Sequence, residues 1–363
     1  MIVSARPRES GDPVRHVARC WIPAFAGISG RIIAAFVISL CVTLTPALAQ
    51  DEIKIGVGFG LAFLPVYICE DLKLVEKHAN AAGLDVKADF PRFMGAAQVQ
   101  EAVASGALDM GPFGTAPLLA AWHKAKDTPG QIFAVSGITS LPLVLLSNQP
   151  SEQSIADLAP ADRIAVPTLS SPQMYVLELQ SEKTFGHYDH LSGQVVALSH
   201  ADAIAALAEG EPAGQTPAPV TAYFASPPYT ELALRGANVH ALLRSSDAMG
   251  GKSSFLILGA TKAFIDAHPR LPAVIDQAMD EAARIIHDDP RRAAQIYLTH
   301  EPSEAIDGAT MEAVIRDIRD EFGSAVYGVQ AIADFMGRHD ELKAPPHSWK
   351  DVVAPALLNS PST

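Results

Sequence analysis

The stretch 51-DEIKIGVGFGLAFLPVYICED-71 decides the fold. Ile53, Ile55 and Val57 alternate with polar or small residues, which predicts a β-strand. Glycines follow, and apolar residues at helical spacing then run from Phe63 to Val75. A strand, a Gly-rich loop and a helix start form half of a βαβ unit. Such a loop lies at the carboxyl end of a strand, beside free N–H groups of a helix, so the stretch predicts a ligand site in an α/β protein.

The same glycines match a nucleotide-binding loop poorly. Gly56, Gly58 and Gly60 give the spacing G-x-G-x-G, and Phe63 stands where the last small residue of G-x-G-x-x-G would fall. We therefore expect a small-ligand loop or a tight turn here, and no dinucleotide site.

The composition indicates the number of domains and excludes some classes of partner. The 363 residues are enough for about two domains, and 48% of them are apolar. The formal charge is −13, and it becomes −16 without the first 49 residues, which carry five Arg and two acidic side chains. An acidic surface repels phosphates, so no nucleic-acid partner is expected. Cys20 and Cys41 precede residue 50, and we expect the remaining Cys69 to be a buried apolar residue without a disulfide partner.

The N-terminus carries a secretory signal pattern. Arg31 is followed by about thirteen mostly apolar residues and by Ala47-Leu48-Ala49, the three parts of a cleaved export signal. We expect cleavage after Ala49 and export to the periplasm. The apolar run is short for a membrane anchor. Residues 1–30 do not fit a signal peptide, and we hypothesise that translation starts nearer Arg31.

The rest of the chain repeats the order of strand, loop and helix start seen in residues 51–71. Predicted strands end in loops with small, hydroxyl or aromatic residues, and helices follow. These strands and their loops are Leu108–Gly111 with 112–115, Gln131–Gly137 with 137–140, Arg163–Val166 with 167–172, and Val220–Phe224 with 225–229. Ser171 followed by Pro172 is a strong helix-start signal.

Two extended crossings, near Leu143 and Ser253, suggest that one α/β lobe is split by the insertion of another. The predicted domains are a leader (1–49), a discontinuous lobe 1 (50–142 and 250–343) and lobe 2 (143–249). A loose tail (344–363) is predicted from Pro and Ser enrichment. Ligand is expected between the lobes.

Several motifs, in their order along the chain, resemble those of one protein family. They are Pro65-Val66-Tyr67, the segment Ala104–Gly111, the strand 163–167 with its serine loop, Asp202–Glu209 before Gly210, and Ser226-Pro227-Pro228. Over about residues 52–340 the chain resembles the solute-binding proteins of ABC importers, in the nitrate/sulfonate/taurine group that includes binders of thiamine-pyrimidine precursors. The segment 211–219 departs from the family pattern.

The resemblance implies a two-lobed periplasmic binding protein fold of type II, with two crossover segments and the ligand cleft between the lobes. It implies a protein that is not an enzyme, needs no cofactor or metal, and acts as a monomer. Its partners would be a small organic or anionic solute, of the sulfonate, taurine or nitrate kind, and the transmembrane subunits of an inner-membrane ABC permease.

Ligand contacts are predicted in the strand-end loops. The candidates are Phe59, Gly60, Phe63, Phe113, Gly114, Thr115, Thr139, Thr168, Ser170, Ser171, Tyr223, Phe224 and Ser226. Backbone N–H groups and the hydroxyls of Ser170 and Ser171 suit an oxyanion. These loops contain no Arg or Lys, and their aromatic residues suggest an organic ligand body or, alternatively, only the packing of the two cores.

Two other function classes stay open at this stage. An enzyme of the same fold could act on a pyrimidine or an aromatic acid, although Cys69 and the loops supply no pair of nucleophile and base. A transcription factor's effector domain would need a basic DNA-binding head. The run His187-Tyr188-Asp189-His190 has a spacing that is more typical of solvated surface than of a metal site.

Overall fold

The computed structural model of the protein describes residues 51–94, 96–209, 220–304 and 306–358. The predicted leader, the departing segment 211–219 and residues 359–363 therefore lie outside the described residues.

The described residues form ten strands and thirteen α-helices. The strands are β1 (Asp51–Lys54), β2 (Val86–Asp89), β3 (Met110–Phe113), β4 (Ile132–Thr139), β5 (Val144–Ser147), β6 (Arg163–Val166), β7 (Val195–Ala197), β8 (Val220–Ala225), β9 (His240–Arg244) and β10 (Leu256–Thr261). The helices are α1 (Leu64–Asp71), α2 (Leu74–Ala81), α3 (Ala96–Ala104), α4 (Thr115–Lys124), α5 (Pro172–Phe185), α6 (His200–Glu209), α7 (Tyr229–Ala233), α8 (Ser245–Met249), α9 (Lys262–Ala267), α10 (Leu271–Asp288), α11 (Pro290–His300), α12 (Gly308–Ile318) and α13 (Val329–Arg338).

The strands pair in three sheets, and the two smaller ones are joined by a bridge and together are called the first sheet. In the first sheet β1 pairs in parallel with β2, and β10 runs antiparallel between β3 and β4. A parallel bridge between Ile55 and Met110 connects the two parts. The second sheet has the order β7-β6-β8-β5-β9, with β6 parallel to both of its neighbours and β5 antiparallel to β8 and β9.

The chain passes between the sheets twice, as the sequence predicted. It leaves the first sheet after β4, completes the second sheet from β5 to β9, and returns at β10. The prediction of an α/β fold with two crossover segments is confirmed by this topology.

The opening stretch forms the predicted strand, loop and helix. Ile53, Ile55 and Val57 are buried, and the exposed Glu52 and Lys54 alternate with them. The buried residues belong to the same core as α10, whose apolar face at i, i+3 and i+4 spacing packs against β4, α1 and α2. The stretch therefore fixes the loop of residues 58–60 at the end of a buried strand.

The loop needs its glycines for two different reasons. Gly60 has φ 108°, a backbone conformation that residues with a Cβ rarely adopt. A Cβ on Gly58 would lie 2.6 Å from the Phe63 ring. The loop thus brings backbone groups and aromatic rings close together.

The C-terminal segment corrects the prediction of a loose tail. Residues 349–352 form a 3-10 helix, and Val353 bridges to Ala134 at the edge of β4. The N–H of Ala354 donates to the carbonyl of Ala134 at 2.7 Å. Counting Pro and Ser missed two local signals, a capping box of Ser348 and Asp351 and an apolar run that covers an otherwise open strand edge.

Two adjacent leucines test this packing. Leu357 is fully buried, whereas Leu358 is 39% exposed. We expect Leu357→Ala to lower the free energy of unfolding by about 3 kcal/mol, because it leaves a cavity against the first sheet. Leu358→Ala should change it by less than about 1 kcal/mol. Urea denaturation of both variants measures the difference, and equal small effects would mean that the segment does not pack.

Candidate functional site

A pocket of about 220 Å³ lies between the two sheets. One wall comes from the loop after β1 and the start of α1, and the other from α6, α7 and the turn after β8. Its lining residues are Phe59, Gly60, Leu61, Ala62, Phe63, His200, Ser226, Pro227, Tyr229, Phe255, Leu256 and Glu301.

Four of the predicted contacts lie in this pocket. Phe59, Gly60 and Phe63 line the first wall, and Ser226 lines the second. Phe59 is 48% exposed, so its ring is available to a ligand.

Three predicted aromatic contacts are core residues instead. Phe113, Tyr223 and Phe224 are fully or almost fully buried. Phe113 is buried because β3 extends to residue 113, two residues beyond the predicted strand end. Its ring packs against Gly259 of β10, so closely that a Cβ on Gly259 would clash with it. Tyr223 and Phe224 lie inside β8, where side chains alternate between two buried faces.

Two predicted hydroxyl contacts serve the fold. Thr115 Oγ1 donates to the carbonyl of Ser254 at 2.9 Å and borders a smaller cavity beside Pro172 and Phe255. Thr139 Oγ1 donates to the carbonyl of Glu321 at 3.0 Å, because β4 extends to residue 139. Both hydroxyls are therefore engaged in bonds between chain segments.

The serine loop lies outside the lining of the pocket between the two sheets. Thr168 and Ser170 are exposed, and Gly114 packs against Pro172. Ser171 is the N-cap residue of α5 and only 7% exposed, but its hydroxyl does not cap the helix. Within the described part of the chain this hydroxyl has no hydrogen-bond partner.

The sequence analysis missed the one acidic side chain of the pocket, Glu301. It follows directly after α11, and its Oε1 accepts hydrogen bonds from the N–H of Gly60 and from the hydroxyl of Tyr67, each at 2.6 Å. The carboxylate thus occupies the N–H of Gly60, a residue that the sequence predicted to contact the ligand. No local pattern could reveal this contact, because Glu301 lies 241 residues from Gly60 in the chain.

The Tyr67 ring contacts both His300 and Arg92. Its ring stacks on His300 with centroids 4.6 Å apart, and the Arg92 guanidinium carbon lies 4.6 Å from the ring centroid. Arg92 donates to Glu70 at 2.6 Å and to Nδ1 of His300 at 2.7 Å. Burial, and then the hydrogen bond to Glu301, raise the pKa of Tyr67 far above its usual range. Its hydroxyl therefore stays a neutral donor to the carboxylate.

The opposite wall is aromatic and uncharged. The His200 ring stacks on Tyr229 with centroids 4.6 Å apart and an interplanar angle of 11°, and Nδ1 of His200 is hydrogen-bonded to the Tyr223 hydroxyl. Burial lowers the pKa of His200 to about 4, so the ring is neutral at physiological pH. Tyr223 therefore acts behind the wall, as a support for His200.

The residues that could do covalent chemistry lie elsewhere. Cys69 is buried, its Sγ is 3.5 Å from the carbonyl of Ala278, and burial raises the pKa of its thiol. Among the described residues no group of three His, Cys, Asp or Glu side chains could hold a metal ion. In the same residues no helix is both long and apolar enough to span a bilayer.

Comparison with known proteins bears on the fold. No family model and no curated protein matches the sequence. Among solved structures, the periplasmic aliphatic sulphonate binding protein SsuA from Escherichia coli is similar at a TM-score of 0.64 and 17% identity, over 84% of this chain and 97% of that one. The alkanesulfonate-binding protein SsuA from Xanthomonas axonopodis pv. citri, bound to MOPS, is similar at a TM-score of 0.61 and 19% identity, over 84% of this chain and 97% of that one.

A Candida albicans protein described as having the generic periplasmic binding protein structural fold gives a TM-score of 0.56 and 12% identity, over 86% of this chain and 96% of that one. At these identities the likeness concerns the fold. This chain has the two-lobed α/β fold of periplasmic binding proteins, with the pocket between the lobes.

The buried His200 makes stability depend on pH. Its folded pKa of about 4 lies below the ordinary value of 6.5, so between these values the unfolded chain takes up a proton that the folded protein does not. We expect this residue to lower the free energy of unfolding as the pH falls from about 6.5 to about 4. His200→Gln should flatten that part of the profile, while the exposed His187→Gln should leave it unchanged. Chemical denaturation across this pH range measures the free energy of unfolding of each variant. If this free energy changes with pH in the same way in wild type and in His200→Gln, His200 is not the residue responsible.

Proposed function

We propose that the protein is the periplasmic solute-binding component of an ABC importer. It would capture a small organic or anionic solute, of the sulfonate, taurine or nitrate kind, and deliver it to an inner-membrane permease. The observation that carries the proposal is the pocket itself, because its two walls belong to different lobes that are joined by only two chain crossings. A ligand that touches both walls favours the closed arrangement of such lobes.

The neighbours in the fold comparison support the same function. Two of them are described as sulfonate-binding proteins, and a Staphylococcus aureus neighbour is described as the ligand-binding component of an ABC-type import system. The acidic charge of the body and the signal pattern before residue 50 agree with an exported protein. We infer lobe boundaries at 50–142 with 250–343 and at 143–249, cleavage after Ala49, and a monomer.

The pocket contents favour binding over catalysis. Its described lining holds aromatic rings, a serine, one carboxylate and a neutral histidine, and Cys69 lies outside it. Glu301 is hydrogen-bonded to a loop amide and a tyrosine, not to a nucleophile that it could activate. Backbone amides and rings of this kind orient a ligand without reacting with it.

A solute screen tests this function. A bound solute stabilises the folded state by mass action, so a cognate compound should raise the melting temperature in a library of small periplasmic solutes. Phe59→Ala should weaken its affinity by about tenfold, because roughly 1.4 kcal/mol of ring contact is lost. Leu358→Ala, on the C-terminal segment, is the control and should bind as wild type does. Small-angle scattering should show a smaller radius of gyration with the solute bound, and an unchanged radius at saturation would contradict a closing binding protein.

A further inference from the structure

Glu301 gives the pocket a negative charge. Its Oε1 accepts two hydrogen bonds, from Gly60 and Tyr67, and no hydrogen bond reaches Oε2 from the described residues. Glu301 is partly exposed and lines the pocket. One carboxylate oxygen is thus fixed by the protein, and the other is left for a ligand.

No cation of the protein neutralises this charge inside the pocket. None of the described residues in the lining is Lys or Arg. Arg92 lies behind the Tyr67 ring and is already engaged with Glu70 at 2.6 Å. His200, the one group in the described lining that could become positive, is half-buried and stacked on Tyr229.

An anionic ligand group would be poorly placed in this part of the pocket. The N–H of Gly60, the loop donor that could receive an oxyanion, is already bonded to Glu301 at 2.6 Å. A second anion nearby would meet the carboxylate in a site partly shielded from water, where like charges repel more strongly than in bulk solvent. Moving Glu301 aside would also break its 2.6 Å hydrogen bond with the Tyr67 hydroxyl and leave that hydroxyl only the longer contact, 3.1 Å, to the carbonyl of Gly58.

A cationic group meets suitable partners on both walls. Phe59 and Phe63 lie on the wall beside Gly60, and Tyr229 lies on the opposite wall. The faces of aromatic rings attract ammonium and guanidinium groups, and a carboxylate oxygen accepts a charge-assisted hydrogen bond from them. The charge of −16 on residues 50–363 favours the approach of a cation as well.

We propose that the solute carries a cationic nitrogen group, which lies against the rings of Phe59 and Tyr229 and is received by Oε2 of Glu301. This inference rests on the proposed function, because it specifies the solute of the same pocket. Of the two kinds of solute that the sequence left open, it selects an organic one and assigns its charge.

Matched pairs of probes test the sign of that charge. Choline with isethionate, benzylamine with phenylmethanesulfonate, and butylguanidine with butanesulfonate share a carbon skeleton within each pair and differ in the charged group. Calorimetry on the full mature chain should detect binding of at least one cation and of none of the sulfonates. If a sulfonate binds and the matched cation of its pair does not, the inference is overturned and the proposed importer function still stands. Silence of all six probes would also overturn the inference, and the broad solute screen would then decide the function separately.

Glu301→Gln locates the contact. The amide oxygen of Gln can still accept from Gly60 and Tyr67, but the charge is gone. We expect the affinity for the cation to fall about 10- to 100-fold, the usual range for one charge-assisted hydrogen bond. Glu304→Gln makes the same change of net charge three residues away at an exposed position and should leave the affinity unchanged.

A second variant covers the case in which Glu301→Gln does not fold. Phe59→Leu keeps an apolar side chain at a half-exposed position and removes the ring face. It should weaken the binding of the cation. The melting temperature of the free protein should stay within about 2 °C of the wild-type value, since exposed substitutions change stability little. Unchanged cation affinity in Phe59→Leu, or in Glu301→Gln where that variant folds, would overturn the inference.

Discussion

The segment that enters the second sheet and the segment that leaves it are hydrogen-bonded to each other, at Leu143 before β5 and at Ser245 after β9. The N–H of Ser245 donates to the carbonyl of Leu143 at 2.8 Å, and the N–H of Leu143 donates to the hydroxyl of Ser245 at 3.1 Å. Both residues are buried. This reciprocal pair closes the base of the second sheet next to the paired residues Val144 and Arg244. The strands and loops that carry the second wall of the pocket are built on this base.

The two walls of the pocket are built from different kinds of contact. On the first wall a carboxylate from the end of α11 is bonded to the loop after β1, and Tyr67, His300 and Arg92 support it in a stacked arrangement. On the second wall two rings stack and one tyrosine hydroxyl lies behind them. In the first wall Oε1 of Glu301 is paired within the protein and Oε2 is not, so a solute needs to supply a partner only for Oε2 and for the ring faces.

Sequence reasoning could predict the fold because its signals are local. The alternation of Ile53, Ile55 and Val57 and the Ser171-Pro172 helix start each specify an element within a few residues. It predicted four pocket residues, since loops after strands lie at one sheet edge. It misplaced Phe113 and Thr139, because the strands extend further than their composition suggested. Glu301 could not be found in this way, since its contact with Gly60 depends on how α11 packs against α1.

The position of β10 has a consequence for the order of folding. This strand lies between β3 and β4, although the whole second sheet separates it from them in the chain. The second sheet is built from one continuous segment and can form early, whereas the first sheet stays open in its middle until residues 256–261 arrive. Contacts between such distant segments form slowly. The N-terminal half of the body therefore cannot complete the first sheet without the C-terminal half.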